Sequence, residues 1–386
     1  MSGTPITGRL VSLDAFRGFT IASMVLVNNP GDWSQLYAPL AHARWNGWTF
    51  TDWIFPFFLF ICGVSMAFSL GRRASAGEDK AQLLRQLFKR AALIFLIGFA
   101  LNLIPYFNFA TVRIPGVLQR IALCTMLAAP IVVYCNWRRQ CVWIAGLLGA
   151  YTLMMLFVPV ADTEGRVAAG VLEPGRDFGA YVDRLLLGGH LWVQSKTWDP
   201  EGLVSTLPAV ATQLFGVLAG QWLLSAYSRS EKTVWMLLAG LGCLWAGAII
   251  DATFMPINKS LWTVSYSIFM TGWALLVFAT FYWLIDGSDA PALRADAQHL
   301  LLPFTIYGMN ALFIFAFSGF VAKMLGFIKF SADAGSLVTL KAVLYAPLLS
   351  LPIAPVNASL LFAVLFNLAM FCLAWFMWKK KWFVKV

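Results

Sequence analysis

The chain has 386 residues, 60% of them hydrophobic and only 12% charged, with a formal net charge of +10 and a mean hydropathy of +0.74. Polar groups are too few to cover a soluble domain, so the composition defines an all-α, polytopic helical membrane protein. Nucleic acid is excluded as the reason for the positive charge, because Lys and Arg are scattered between apolar runs, where they flank membrane spans.

A helix needs roughly 20 mostly apolar residues to cross the hydrocarbon. That rule gives about ten spans, near residues 11–29, 51–70, 88–106, 115–135, 141–160, 204–226, 233–252, 262–285, 300–322 and 354–378. The first begins in R-L-V-S-L-D-A-F-R-G, where Asp14 and Arg17 sit three apart and share a helix face. Ionisable residues there, and the lack of a small-residue cleavage site, make this a span and not a removable leader. Basic residues concentrate in the N-terminus, the 71–90 loop, Arg138-Arg139, Arg229 with Lys232, Arg294 and the C-terminal lysines, so both termini are expected in the cytoplasm. The longest outer connection, about 161–203, contains Y-V-D-R-L-L-L-G-G-H-L-W, which reads as a short interfacial helix. Residues 323–353 are ambiguous, with an apolar half broken by Pro347 and Pro352. One domain covers the whole chain. The six cysteines lie mostly in apolar segments without CxxC spacing or a nearby histidine, so neither a metal nor a disulfide framework is expected.

Three histidines exist: His42, His190 and His299. His42 precedes W-N-G-W-T-F-T-D on the outer side, close to the outer end of span one, where Asn28 lies. It reads either as a solvated loop residue or as a base for a hydroxyl or amine. Asn28, Asn46 and Asp52 supply orienting partners and oxyanion donors on the second reading; on the first, Thr51 or Asp52 is an N-cap. Arg120 either pairs with an acid or joins Arg9 and Arg17 in gripping a polyanion from the cytoplasm. Gln213, Tyr307 and Asn310 are intramembrane polar groups that line a cavity or join helices.

Taken in order, R-L-V-S-L-D-A-F-R-G, V-N, H-A-R-W-N-G, T-D-W-I-F-P-F-F-L-F-I-C-G, G-V-L-Q-R, D-R-L-L-L-G-G-H-L, D-P-E-G, P-I-N-K-S-L-W and Y-G-M-N resemble the heparan-alpha-glucosaminide N-acetyltransferase family, including its bacterial NagX-like members. The resemblance implies a multi-pass acetyltransferase of a bacterial inner membrane, a homodimer, taking acetyl from acetyl-CoA as co-substrate and passing it to an amino sugar or related glycan on the periplasmic side. It implies His42 as catalytic base or acetyl carrier, with Asn28 beside it. Arg9, Asp14, Arg17, Arg120 and Asn310 fall on the cofactor side, and Asn46, Asp52, Glu201, Asn258 and Lys259 on the acceptor side. Between Asn29 and His42 the run N-P-G-D-W departs from the lysosomal Gly-rich pattern, so a different acceptor site is expected, and for what resembles a bacterial inner-membrane protein heparan sulfate itself is not the expected acceptor. A proton-coupled sugar permease is the alternative.

Overall fold

The computed structural model describes residues 9–331 and 337–384. Its first span is α1 (Val11–Asn28). The second, α2 (Phe50–Met66), continues through a π turn at Ala67–Gly71 into α3 (Arg72–Ser75). Next come α4 (Lys80–Leu103), α5 (Val117–Tyr134) and α6 (Trp137–Phe157), and then α7 (Phe178–Leu187) within the long outer connection. The spans α8 (Thr206–Leu224), α9 (Arg229–Thr253) and α10 (Val264–Tyr282) follow, and α11 (Pro291–Leu300) leads to α12 (Leu302–Met309) and α13 (Ala311–Phe327). A two-stranded hairpin, β3 (Lys329–Ser331) with β4 (Leu337–Thr339), then α14 (Leu340–Leu349) and α15 (Pro355–Lys379) complete the chain; β1 (Val160–Ala161) and β2 (Val167–Ala168) form a second small hairpin. Among the described residues, nine helices are long and apolar enough to cross a membrane, or ten with the bent pair α12–α13 counted as one span. The protein is a multi-pass helical membrane protein. The ambiguous segment resolves into the hairpin and α14, whose ten residues are too few to cross.

Consecutive spans alternate in direction, so their ends form two sets. One set, called outer because the basic residues cluster at the other, carries the connections 29–49, 104–116, 158–205 and 254–263; the set called inner carries 76–79, 225–228, α11 and the basic tail. Local chemistry fixes where α2 starts. Thr49 is its N-cap, and Asp52, at the third helical position, closes a capping box by accepting from Thr49 N at 3.0 Å. The cap is therefore neither Thr51 nor Asp52, as the sequence pattern suggested, and the carboxylate serves the cap from inside the helix.

Glycine lets two pairs of spans touch backbone to backbone. A Cβ on Gly18 of α1 would stand 1.6 Å from Phe304 O of α12, and one on Gly63 of α2 would stand 1.9 Å from Gln213 O of α8. The ninth span, which reads as one apolar run, is bent by 81° between Met309 and Ala311. Irregular backbone at that depth requires internal partners. Arg17 Nη1 donates to Gly308 O at 3.5 Å beside the break, and the Asn310 side chain is taken up by the tail: Nδ2 donates to Trp382 O at 3.0 Å, and Oδ1 accepts from Val384 N at 2.9 Å. Asn310 thus ties the C-terminal tail to the break and is not open to a cofactor in this conformation.

Candidate active site

At the outer ends of α1, α2 and α5 lies a cavity of about 420 Å³. Asn28, His42, Asp52, Arg113, Glu201 and Lys259 line it, together with the indoles of Trp45, Trp192 and Trp198. Four separate connections meet here, and each is held by its own polar contacts.

Asp52 organises the inner wall. Its side chain is 1% exposed; Oδ1 lies 2.7 Å from His42 Nδ1, and Oδ2 accepts from Ala43 N at 3.1 Å as well as from Thr49 N. The residue that starts α2 therefore also holds the imidazole. A carboxylate at Nδ1 places the ring proton on that nitrogen and leaves Nε2 as the basic lone pair. Lys259 Nζ sits 3.1 Å from both ring nitrogens and 3.9 Å from Asp52 Oδ1. Burial pulls the Lys259 ammonium below its ordinary pKa of 10.5, against the opposing pull of Asp52 and Glu201. Asn28, at the last position of α1, lines the cavity, and its carboxamide makes no hydrogen bond among the described residues.

The opposite wall is a clamp of which sequence reasoning named Glu201 and missed Arg113 and Asp199. Arg113 forks onto Asp199, with Nε to Oδ2 at 2.8 Å and Nη2 to Oδ1 at 2.5 Å, and also pairs with Glu201. Burial opposes the Glu201 carboxylate, but Arg113, Arg120 and Lys259 outweigh it and hold its pKa below the ordinary range. The readable signal was Arg113 standing just before G-V-L-Q-R, close to a span boundary, with an acid pair in D-P-E-G to meet it. His190 also serves this wall structurally, Nδ1 bonding Val112 O at 2.8 Å.

Several expected site residues are placed differently. Asn258 is fully buried: Nδ2 donates to Asn46 Oδ1 at 3.2 Å and Oδ1 accepts from Leu261 N at 2.9 Å. Neither asparagine lines the cavity; they fasten the His42 loop to the Lys259 loop. Arg120 does not join Arg9 and Arg17. Because α5 runs from the outer to the inner end, Arg120 belongs to the outer end, donating to Gly202 O at 2.7 Å and to Ser205 Oγ and lying over Trp262 at 5.4 Å. Arg9 and Arg17 both engage Asp14, at 2.5 and 3.0 Å. Arg17 also donates to Ser65 Oγ at 2.9 Å and to Gly308 O at 3.5 Å, pinning α1 to α2 and α12. Gln213 and Tyr307 join helices, through Thr125 and Asn367 respectively.

At the inner end a second cavity, about 720 Å³, opens between α3, the π turn of α2 and the inner ends of α5 and α8. Arg72, Lys80, Tyr134, Asn136 and Trp137 line it.

Fold and site define a polytopic membrane protein with an imidazole set between a buried carboxylate and an amine at its outer end. A family model described as heparan-alpha-glucosaminide N-acetyltransferase, catalytic, matches residues 9–242. The chain belongs to that family. It is 29% identical over 360 residues to the heparan-alpha-glucosaminide N-acetyltransferase of Homo sapiens, covering 80% of this chain and 52% of that protein. The Mus musculus protein of the same name is 28% identical over 361 residues, covering 80% and 53%. The chain thus spans about half the length of these curated relatives.

Proposed function

We propose that this protein is a transmembrane acetyltransferase that takes acetyl from cytoplasmic acetyl-CoA and delivers it to an amino sugar or related glycan at the outer face of a bacterial inner membrane. The observation that carries the reading is the Asp52–His42 pair facing one cavity with Asn28 and Glu201. His42 Nε2 takes a proton from the acceptor nitrogen as that nitrogen attacks the thioester carbonyl. Asn28 has a free N–H pair at the same cavity for the oxygen that becomes negative. Asp52 keeps the ring oriented and balances the imidazolium that forms. The three indoles offer flat apolar faces to sugar rings, and Glu201 offers a fixed negative charge to an ammonium. A twofold dimer is part of this reading, from the family likeness alone.

The test is turnover by purified protein in detergent, given labelled acetyl-CoA and a panel of amino sugars. His42→Ala should still bind CoA and lose product formation. Retained turnover in that variant removes the assignment.

One observation favours a second reading, a proton-coupled sugar permease: discontinuous spans such as α12–α13 are where secondary transporters bind their cargo. Uptake into liposomes without any acetylated product would establish it. Against it, Asn310 and Arg17 already engage backbone groups at that break.

A further inference from the structure

In this structure the proposed catalytic imidazole already has a primary amine against it. With Nδ1 committed to Asp52 at 2.7 Å, an amine, Lys259 Nζ, stands 3.1 Å from both ring nitrogens, over the imidazole face, and has only to turn toward the ring edge to meet the Nε2 lone pair. That amine stands in the cavity where the proposed function requires the acceptor nitrogen, within hydrogen-bond reach of the base and beside the carboxylates Asp52 and Glu201. Nothing in the packing makes Lys259 a core residue: its side chain is 22% exposed and it contributes to the cavity wall. Its position is nevertheless fixed. Asn258, the residue before it, holds the turn through Leu261 N and ties it to Asn46, while Gly47 N donates to Ile257 O at 2.7 Å.

We propose that Lys259 Nζ holds the place of the acceptor nitrogen, and that this lysine is itself acetylated when the acetyl donor arrives without an amine acceptor. The inference rests on the acetyltransferase reading and goes beyond it in naming a residue of the chain itself as an acceptor. The step balances. The lysine ammonium gives one proton to His42 Nε2, its lone pair attacks the thioester carbonyl carbon, and a C–N bond replaces the C–S bond. The sulfur leaves with the electron pair and takes the proton from the imidazolium, and the second N–H proton is released to water. Products are Nε-acetyl-lysine, free CoA thiol and one proton. Burial weakens the hold of Lys259 on its proton, which favours the first transfer. Proximity supplies the rest, since no translational freedom has to be lost. Acetylation removes the ammonium and leaves a bulkier neutral amide beside Nε2, so the modified protein no longer accepts an external amine.

The experiment uses the full chain in detergent, incubated with deuteroacetyl-CoA alone and then digested for peptide mass spectrometry. The expected result is deuteroacetyl on Lys259 approaching one per chain, with other lysines no higher than in His42→Ala or in heat-denatured wild type. An excess of amino sugar should suppress the label, a sugar bearing only hydroxyls should not, and turnover should fall as Lys259 is occupied. The proposal is overturned if wild type acetylates an added amine yet carries no more label at Lys259 than the two controls, or carries acetyl on His42 alone. If neither Lys259 nor any added amine is acetylated, the acetyltransferase reading falls with it.

Discussion

Asp52 does two jobs with one carboxylate, and this makes it the most informative single residue. Oδ2 closes the cap of α2, and Oδ1 holds His42. Asp52→Asn keeps the size but presents an N–H₂ group to backbone donors at Ala43 and Thr49, or to His42 Nδ1. Turnover should fall by up to about 10⁴-fold, the loss known when the orienting acid of a catalytic imidazole is neutralised. CoA binding, governed elsewhere, should change less than about threefold. Loss of CoA binding together with turnover would mean that the cap, and not the chemistry, had failed. The sequence made His42, Asn28 and Asp52 visible because polar groups are conspicuous in so apolar a chain. It did not separate Asn258 from Lys259, neighbours in P-I-N-K: one is buried scaffold and the other faces the base, and only the turn at Leu261 decides which.

At the scale of elements, α7 and the D-P-E-G turn form the outer lid-like wall, and that wall carries acids out of their ordinary range. Burial raises Asp183 to about 7, with Leu203 N opposing and Asp199 reinforcing, and burial raises Asp177 to about 6. The folded state therefore holds protons that the unfolded chain has released above its carboxylate pKa near 3.8. The associated stability is full below about pH 4 and is lost as pH rises to about 7. Asp183→Asn keeps an oxygen for Leu203 N, which now bonds Oδ1 at 2.9 Å, and removes the titration. Thermal unfolding should show the variant gaining steadily on wild type between about pH 4 and 7 and levelling off above that; a parallel pH profile in both proteins would refute the argument. The broken ninth span teaches the complementary lesson. Its hydrophobicity made the crossing legible, but the 81° bend depends on Gly18 admitting Phe304 and on the tail reaching Asn310. Gly18→Val places side-chain atoms where Phe304 O now lies, and should lower the unfolding temperature sharply while a conservative exchange at exposed Leu96 of α4 does not.

For the whole molecule the proposed function requires that a cofactor entering at the inner end reach the imidazole at the outer end. The two cavities share α2 and α5. Counting from Phe55 to Ala67 and from Val117 to Val132 at about 1.5 Å per residue separates their facing walls by roughly 18–22 Å, comparable with an extended pantetheine arm. Between them Leu59, Ile121, Cys124, Ala128 and Leu214 are buried in one cluster, so admitting the arm requires that seam to part. The π turn at Ala67–Gly71 marks the point where the hydrogen-bond register of α2 is already altered, beside the inner cavity. Residue type alone suggested Arg9, Arg17 and Arg120 as the phosphate grip; the fold commits Arg17 to an internal clamp and carries Arg120 to the far end, and neither fact follows from composition. Arg72 and Lys80, beside Tyr134 and Trp137, are the cations that face an open inner cavity of nucleotide size. Reversing both charges, Arg72→Glu with Lys80→Glu, should raise KM for acetyl-CoA at least about tenfold, since each charge-assisted phosphate contact contributes roughly 1.5–3 kcal/mol. At saturating donor kcat should stay within about threefold, because the chemistry at His42 is untouched, and the salt dependence of KM should flatten. An unchanged KM would move the nucleotide away from this cavity. A matching fall in kcat would instead mean that the two lysine and arginine side chains act on the seam and not on the phosphates.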